Sequence, residues 1–282
     1  MMNFNVAIGI ITYNPEESVV KRLSDTVKSG YKVYVFDNSP DNSIIRDYVH
    51  SDDEARSHIT YLTCGKNAGL GFGLSAVCAQ AYYDAFPALL FFDQDTVYST
   101  ETLDYISAFY GRNESLAVSY SSVVFNSKSV DDSGNLTDPQ AVGDTIKDVR
   151  LAINSGSLYF LNNLKKMNWH STKYFVDCVD YEFNLSSSNH HFKIGEHSAT
   201  PGFDHCSEQG DTRYKVFGVV LPMRAYRFSR IKDTYCASTK LFWKALVTGN
   251  LTYSVEFSKS IHKYLFVQFY VRLAKLFHVK GC

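Results

Sequence analysis

The chain has 282 residues, enough to bury a sizeable core without disulfide staples, and its 45% hydrophobic and 20% charged residues are an ordinary globular balance. Lys plus Arg total 28 against Asp plus Glu 29, a net charge of −1 that provides no whole-protein basic field for nucleic acid and no acidic signature of disorder. The 20 Tyr and 20 Phe suit core filling first, and sugar or base surfaces second. Through the first third, short β-rich runs alternate with helical patterns, which predicts βαβ units and a mostly parallel α/β sheet. Val6 to Thr12 is the first strand. Pro15, Glu16 and Glu17 open a helix through Val27 that stops at Gly30, with the acids at its positive end. Tyr31 to Phe36 is a second strand ending in the turn cluster Asp37, Asn38, Ser39 and Pro40. Ile44 to Val49 is a short helix and Ile59 to Thr63 a third strand. The run NAGLGFG, Asn67 to Gly73, precedes helical spacing over Leu74 to Phe86, and the apolar strand Ala88 to Phe92 closes on Asp93, Gln94 and Asp95.

A β-rich stretch follows over Ser115 to Phe125, then a polar loop or flap over Asn126 to Asp148 and a strand within Ala152 to Phe160. Lys165 to Trp169 and Asp177 to Ser186 read as helical, and Phe203 to Gly218 as irregular. Beyond Pro222 the chain turns basic and aromatic and ends in the apolar stretch Tyr264 to Val279. Cys64, Cys78, Cys178, Cys206, Cys236 and Cys282 lie far apart with no CxxC, which argues against a zinc ribbon or dithiol site and for reduced thiols. The N-terminal sequence lacks the marks of a signal peptide. No stretch reaches the roughly 18 apolar residues needed to span a bilayer. A cytoplasmic protein is expected.

Polar clusters end three of the strands, at Thr12 to Asn14, Asp37 to Ser39 and Asp93 to Asp95. In open α/β sheets ligands bind outside such strand ends, although Asn14 and Asp37 also suit plain helix caps. Asp93 and Asp95 alternate along an expected extended segment, so they point to one side and suit Mg2+ or Mn2+ with room for phosphate oxygens; an Asp-rich turn is the other reading. Gly69, Gly71 and Gly73 are evenly spaced, which departs from the dinucleotide fingerprint but allows close approach of phosphate or ribose to a helix start. Asp177 and Asp180 share a helical face at i, i+3, where one can act as general base or both can simply begin a solvated helix. No HExxH, GxSxG or P-loop is present.

In order and spacing, IITYNP, FDNS, NAGLGFG, FFDQD, INSGSLYF and FVDCVDYEF resemble the family-two inverting glycosyltransferases of the GT-A fold over about residues 5 to 232, most closely the rhamnosyltransferase-like branch that builds bacterial surface polysaccharide. The resemblance implies a Rossmann-like nucleotide-sugar domain with a C-terminal helical extension. It would divide the chain into a nucleotide-sugar half over 1–115, an acceptor-binding and catalytic half over 116–222, and a basic-aromatic region over 223–282. Thr12, Tyr13 and Asn14 would line the nucleotide pocket, Asp37 would read the pyrimidine, and Asn67 and Gly69 would lie near ribose and diphosphate. Asp95, with Asp93 at the diphosphate and His205, would hold Mg2+ or Mn2+. Gly156, Asp177 and Glu182 would lie in the sugar and acceptor region, with Asp180 as the catalytic base. Arg224, Tyr226 and Arg230 resemble the family's R-x-Y-x-x-x-R segment, in which an arginine neutralises the leaving diphosphate. Ser186, Arg227 and Ile231 depart from the family pattern.

The implied donor is dTDP-rhamnose, with UDP-galactose or UDP-galactofuranose second, and the implied acceptor is a glycan or polyprenyl-linked saccharide. A non-catalytic nucleotide-sugar scaffold is the reading from another class. The C-terminal stretch, with Arg272, Lys275 and Lys280 among apolar residues, suits a peripheral membrane contact, packing on the protein's own core, or a second subunit of a homo-oligomer.

Overall fold

A computed structural model describes residues 5–40, 43–126, 143–198, 200–205, 212–216, 219–223 and 225–276, with the side chains of 205, 212–216, 219–223 and 274–276 outside that description. Strands β1 (Val6–Thr12), β2 (Val33–Asp37), β3 (Ile59–Thr63) and β4 (Ala88–Asp93) lie parallel in the order β3-β2-β1-β4. Every residue of β1 and β2 is buried. This is the continuous apolar reading expected of strands covered on both faces. The sheet continues through β8 (Ser157–Phe160), β6 (Tyr120–Phe125), β9 (Lys193–His197) and β7 (Lys147–Val149); β8 runs antiparallel to β4, so the eight-stranded sheet is mixed. A small antiparallel pair joins β5 (Thr96–Tyr98) to β10 (Phe203–His205).

Helix α1 (Glu17–Lys28) buries Val19, Leu23, Thr26 and Val27, a single stripe at helical spacing, with Glu17 in its first turn and Lys28 in its last. Helices α2 (Ile44–Ser51), α3 (Asp53–His58) and α5 (Thr100–Arg112) begin at side-chain caps from Ser43, Asp52 and Ser99. Helix α4 (Leu70–Tyr83) starts four residues before its expected position and takes Gly71 and Gly73 into its first turns. After β8 come α6 (Leu161–Lys166) and α7 (Val179–Asn189).

By their contacts, residues 1–206 form one compact unit and 207–282 another. The second unit holds the antiparallel pair β11 (Thr212–Val216) and β12 (Val219–Met223), then α8 (Phe228–Val247) packed on α9 (Leu251–Leu276). The stretch expected to be irregular over 203–218 therefore contributes β10 and β11, whose backbones find antiparallel partners. Arg224 and Cys206 lie outside the described residues, and Cys64, Cys78, Cys178 and Cys236 are thiols, two of them buried.

Candidate active site

The register brings the polar strand ends to one edge. Thr12 pairs with Asp37, Ile11 with Asp93, and Asp37 with Thr63, so the carboxyl ends of four parallel strands finish level. Neither Asn14 nor Asp37 caps a helix. The Asn14 N–H donates to Ser39 Oγ at 2.8 Å, and the buried Asp37 carboxylate accepts from the Ser39 N–H at 2.9 Å and the Tyr61 hydroxyl at 3.0 Å. Burial first, then the Asp37 charge, pushes the Tyr61 phenol up to about 12. Thr12 Oγ1 is buried without a hydrogen-bond partner among the described residues, while the Tyr13 ring stands 47% exposed and offers a face for stacking.

Gln94 clamps this edge together. Its Oε1 accepts from the Tyr13 N–H at 2.7 Å, its Nε2 donates to the Tyr13 carbonyl at 3.3 Å, and Arg22 donates to the Gln94 carbonyl. The clamp accompanies a correction: the chain turns at Gln94 and Asp95 instead of running extended, leaving Asp93 half-buried at the end of β4 and Asp95 exposed. The Asp93 N–H donates to Ser155 Oγ at 3.1 Å, and Ser155 Oγ meets Thr96 Oγ1 at 2.9 Å.

The charges of Asp95 and Asp180 both reach Asp93. Burial, then the charges of Asp95 and Asp180, push Asp93 up to about 7. Burial also raises Asp180 to about 6, with the Asp177 charge adding to it and backbone N–H groups opposing. A charge that shifts a neighbour in this way lies within electrostatic reach of it. Asp177 does not share a helical face with Asp180, because Cys178 adopts a left-handed φ of 67° and α7 begins only at Val179. Glu182 is buried in the first turns of α7. Among the described residues no three His, Cys, Asp or Glu side chains form a ready-made cation site. Even so, hard carboxylate oxygens suit Mg2+ or Mn2+, which bind through one or two carboxylates plus substrate phosphates. His205 stands opposite Thr96 in the β5–β10 register, with its side chain outside the described residues.

Residues 7–179 match Glycosyl transferase family 2. The chain belongs to that family. No curated protein matches it by sequence. Among solved structures it is similar to S. aureus TarS, at 15% identity and a TM-score of 0.55, over 86% of this chain and 39% of that one. It is also similar to S. aureus TarS 1-349 in complex with UDP-GlcNAc, at 15% identity and a TM-score of 0.55, over 92% of this chain and 71% of that one. This chain thus spans about two fifths of the first TarS chain it matches, and at this identity the likeness is one of fold.

Within this member of the family, Gly69 and Gly71 of NAGLGFG make room for the protein's own backbone. A Cβ on Gly69 would stand 2.5 Å from the Phe175 carbonyl oxygen, and one on Gly71 would stand 2.5 Å from that of Ser171. The Leu70 N–H donates to the Phe175 carbonyl at 2.5 Å. The start of α4 is therefore the seat for residues 171–175, which lead directly to Asp177 and Asp180. Asn67 Oδ1 accepts from the Gly69 N–H at 3.0 Å, and Asn38 Oδ1 from the Ala68 N–H at 2.8 Å, fixing the same loop.

Gly156 is buried under Phe203, and its main chain bonds Phe91 and Phe125, so it joins strands and presents no open surface. Arg230 belongs to the C-terminal unit, where its guanidinium lies 4.7 Å over the Tyr226 ring. Sequence reasoning missed Arg22. Asn38 and Gln94 fell within the polar clusters and Ser155 within a strand edge, but none of the three received a role.

Proposed function

We propose that the chain is an inverting hexosyltransferase that moves a sugar from a nucleoside diphosphate donor to a hydroxyl of a glycan or lipid-linked acceptor in bacterial surface polysaccharide synthesis. L-Rhamnose from dTDP-rhamnose is the first-choice donor sugar and a UDP-linked galactose or galactofuranose the second. The observation that carries this reading is the coupling of Asp93 to both Asp95 and Asp180 at the carboxyl edge of the parallel strands. The TarS complex with UDP-GlcNAc, on the same fold, supports a nucleotide-sugar donor.

The nucleotide would lie across the Thr12–Asn14 and Asp37–Ser39 loops, with its base against the exposed Tyr13 ring. Asp37 would reach the pyrimidine through a remaining lone pair, since both its oxygens already accept one bond. Asn67 and Gly69 would border the ribose and diphosphate. Asp95 and Asp93, with His205, would hold a divalent cation that neutralises charge on the departing diphosphate when bound. Asp180 accepts the proton of the acceptor hydroxyl as that oxygen attacks the anomeric carbon and the carbon–phosphate oxygen bond breaks, in one displacement with inversion. Asp177 and Glu182 would flank the acceptor.

Asp180→Asn is expected to cut turnover by about 10²-fold or more while nucleotide affinity holds near wild type. Transfer assays with dTDP-rhamnose, UDP-galactose and UDP-galactofuranose, alongside calorimetric titration of the nucleotide, test both points. Unchanged turnover moves the base to Asp177. Donor binding without transfer to any acceptor supports the scaffold reading.

A further inference from the structure

The α8–α9 hairpin presents more apolar surface than its own packing uses. Helix α9 is apolar on two faces. One buries Tyr253, Phe257 and Val271. The other carries Leu251 and Val255 near its start and Phe266, Phe269 and Leu273 near its end, all 40–65% exposed and on one side by their spacing in a 3.6-residue period, with Ser258 and His262 between the two groups. Helix α8 adds Phe228, Tyr235, Trp243 and Val247, and Val247 and Leu251 flank the tight turn at Gly249. Exposed apolar surface of this extent marks a contact with another apolar body.

Charge selects that body. Residues 225–276 carry nine Lys or Arg against Asp233 and Glu256, whereas residues 1–206 carry 15 against 25 acids. Lys240, Lys259 and Lys263 are exposed on the hairpin, the last two bordering the α9 stripe. A second hairpin would meet this surface with like charge, but an anionic lipid headgroup layer over acyl chains complements both its cations and its apolar side chains. No helix among the described residues is long and apolar enough to cross a membrane, which leaves a helix lying in the interface. We propose that the α8–α9 hairpin is a peripheral membrane-binding element selective for anionic lipid. This assignment stands independently of the donor and the catalytic base.

The full chain is tested by flotation with phosphatidylcholine vesicles and with vesicles containing about one quarter phosphatidylglycerol. Partitioning onto the anionic vesicles is expected to exceed that onto neutral ones by at least about 10-fold and to weaken between 0.1 and 0.5 M NaCl, because surface charges are screened. Phe266→Ser with Phe269→Ser, and separately Lys259→Glu with Lys263→Glu, should each reduce it about 10-fold with the circular-dichroism melt unchanged. Trp169 and Trp243 are the two tryptophans, so in Trp169→Phe protein the emission of Trp243 should shift to the blue on adding anionic vesicles; this readout needs no hairpin variant. Equal partitioning onto both vesicle types, or unshifted Trp243 emission, overturns the proposal. So does a lipid-free homodimer that the phenylalanine variants dissolve.

Discussion

On the proposed function Gln94 would set donor affinity through the loops it joins. Its amide bonds both main-chain groups of Tyr13, and Arg22 holds its carbonyl, so the loop after β1 and the turn bearing Asp93 and Asp95 move as one piece. Each hydrogen bond contributes about 1 kcal/mol net. Gln94→Ala is therefore expected to raise the donor KM roughly 10-fold while changing kcat much less, in steady-state kinetics at saturating acceptor. An unchanged KM would show that the clamp is incidental. Asp180 adds a pH signature. A carboxyl raised to about 6 by burial is mostly protonated at pH 5 and mostly ionised at pH 7. A base must be ionised to accept a proton, so kcat/KM should climb with pH across that interval and then level off, with Asp93, raised to about 7, broadening the rise. A flat profile from pH 5 to 8 would remove Asp180 from the base role.

At the level of elements, α4 owes its function to what it lacks. Gly71 admits the carbonyls of Ser171 and Tyr174 to within 2.5 and 2.7 Å of where a Cβ would stand. Gly71→Ala must push that backbone away, so it is expected to destabilise by about 1–3 kcal/mol and to lower kcat by displacing Asp180. Gly111→Ala in α5, with open space around the added methyl, should be neutral or slightly stabilising in the same thermal melts. Equal melting temperatures for the two variants would show that the seat yields freely. The same helix shows where sequence reading stops. The parallel core was legible because β1, β2 and β4 are unbroken apolar runs between turn clusters. The NAGLGFG run announced a close approach but not its partner, since residues 171–175 lie about 100 positions away. Local spacing likewise misplaced Asp177 and Asp95, because Cys178 adopts a left-handed φ and the chain turns at Gln94, whose clamp reaches across 81 positions to Tyr13.

Over the whole molecule, a net charge of −1 conceals a strong partition, because residues 1–206 hold 25 acids against 15 bases. A nucleoside diphosphate is itself an anion, and on the proposed function it would approach the acid-rich unit at a turn where the charges of Asp95 and Asp180 both act on Asp93. Unaided, such an encounter is opposed by the local field and improves when salt screens it. Nucleoside diphosphate affinity measured by calorimetry is accordingly expected to fall at least about 10-fold in EDTA and to return with Mg2+ or Mn2+. In EDTA it should strengthen as NaCl rises from about 50 to 300 mM, the reverse of the usual trend for an anion bound by basic side chains. Asp95→Ala should bind equally weakly with and without the cation, because it removes an oxygen donor without creating a basic site. If wild type and Asp95→Ala bind with the same affinity in EDTA and in Mn2+, the diphosphate is held by other groups and Asp95 has no part in cation binding.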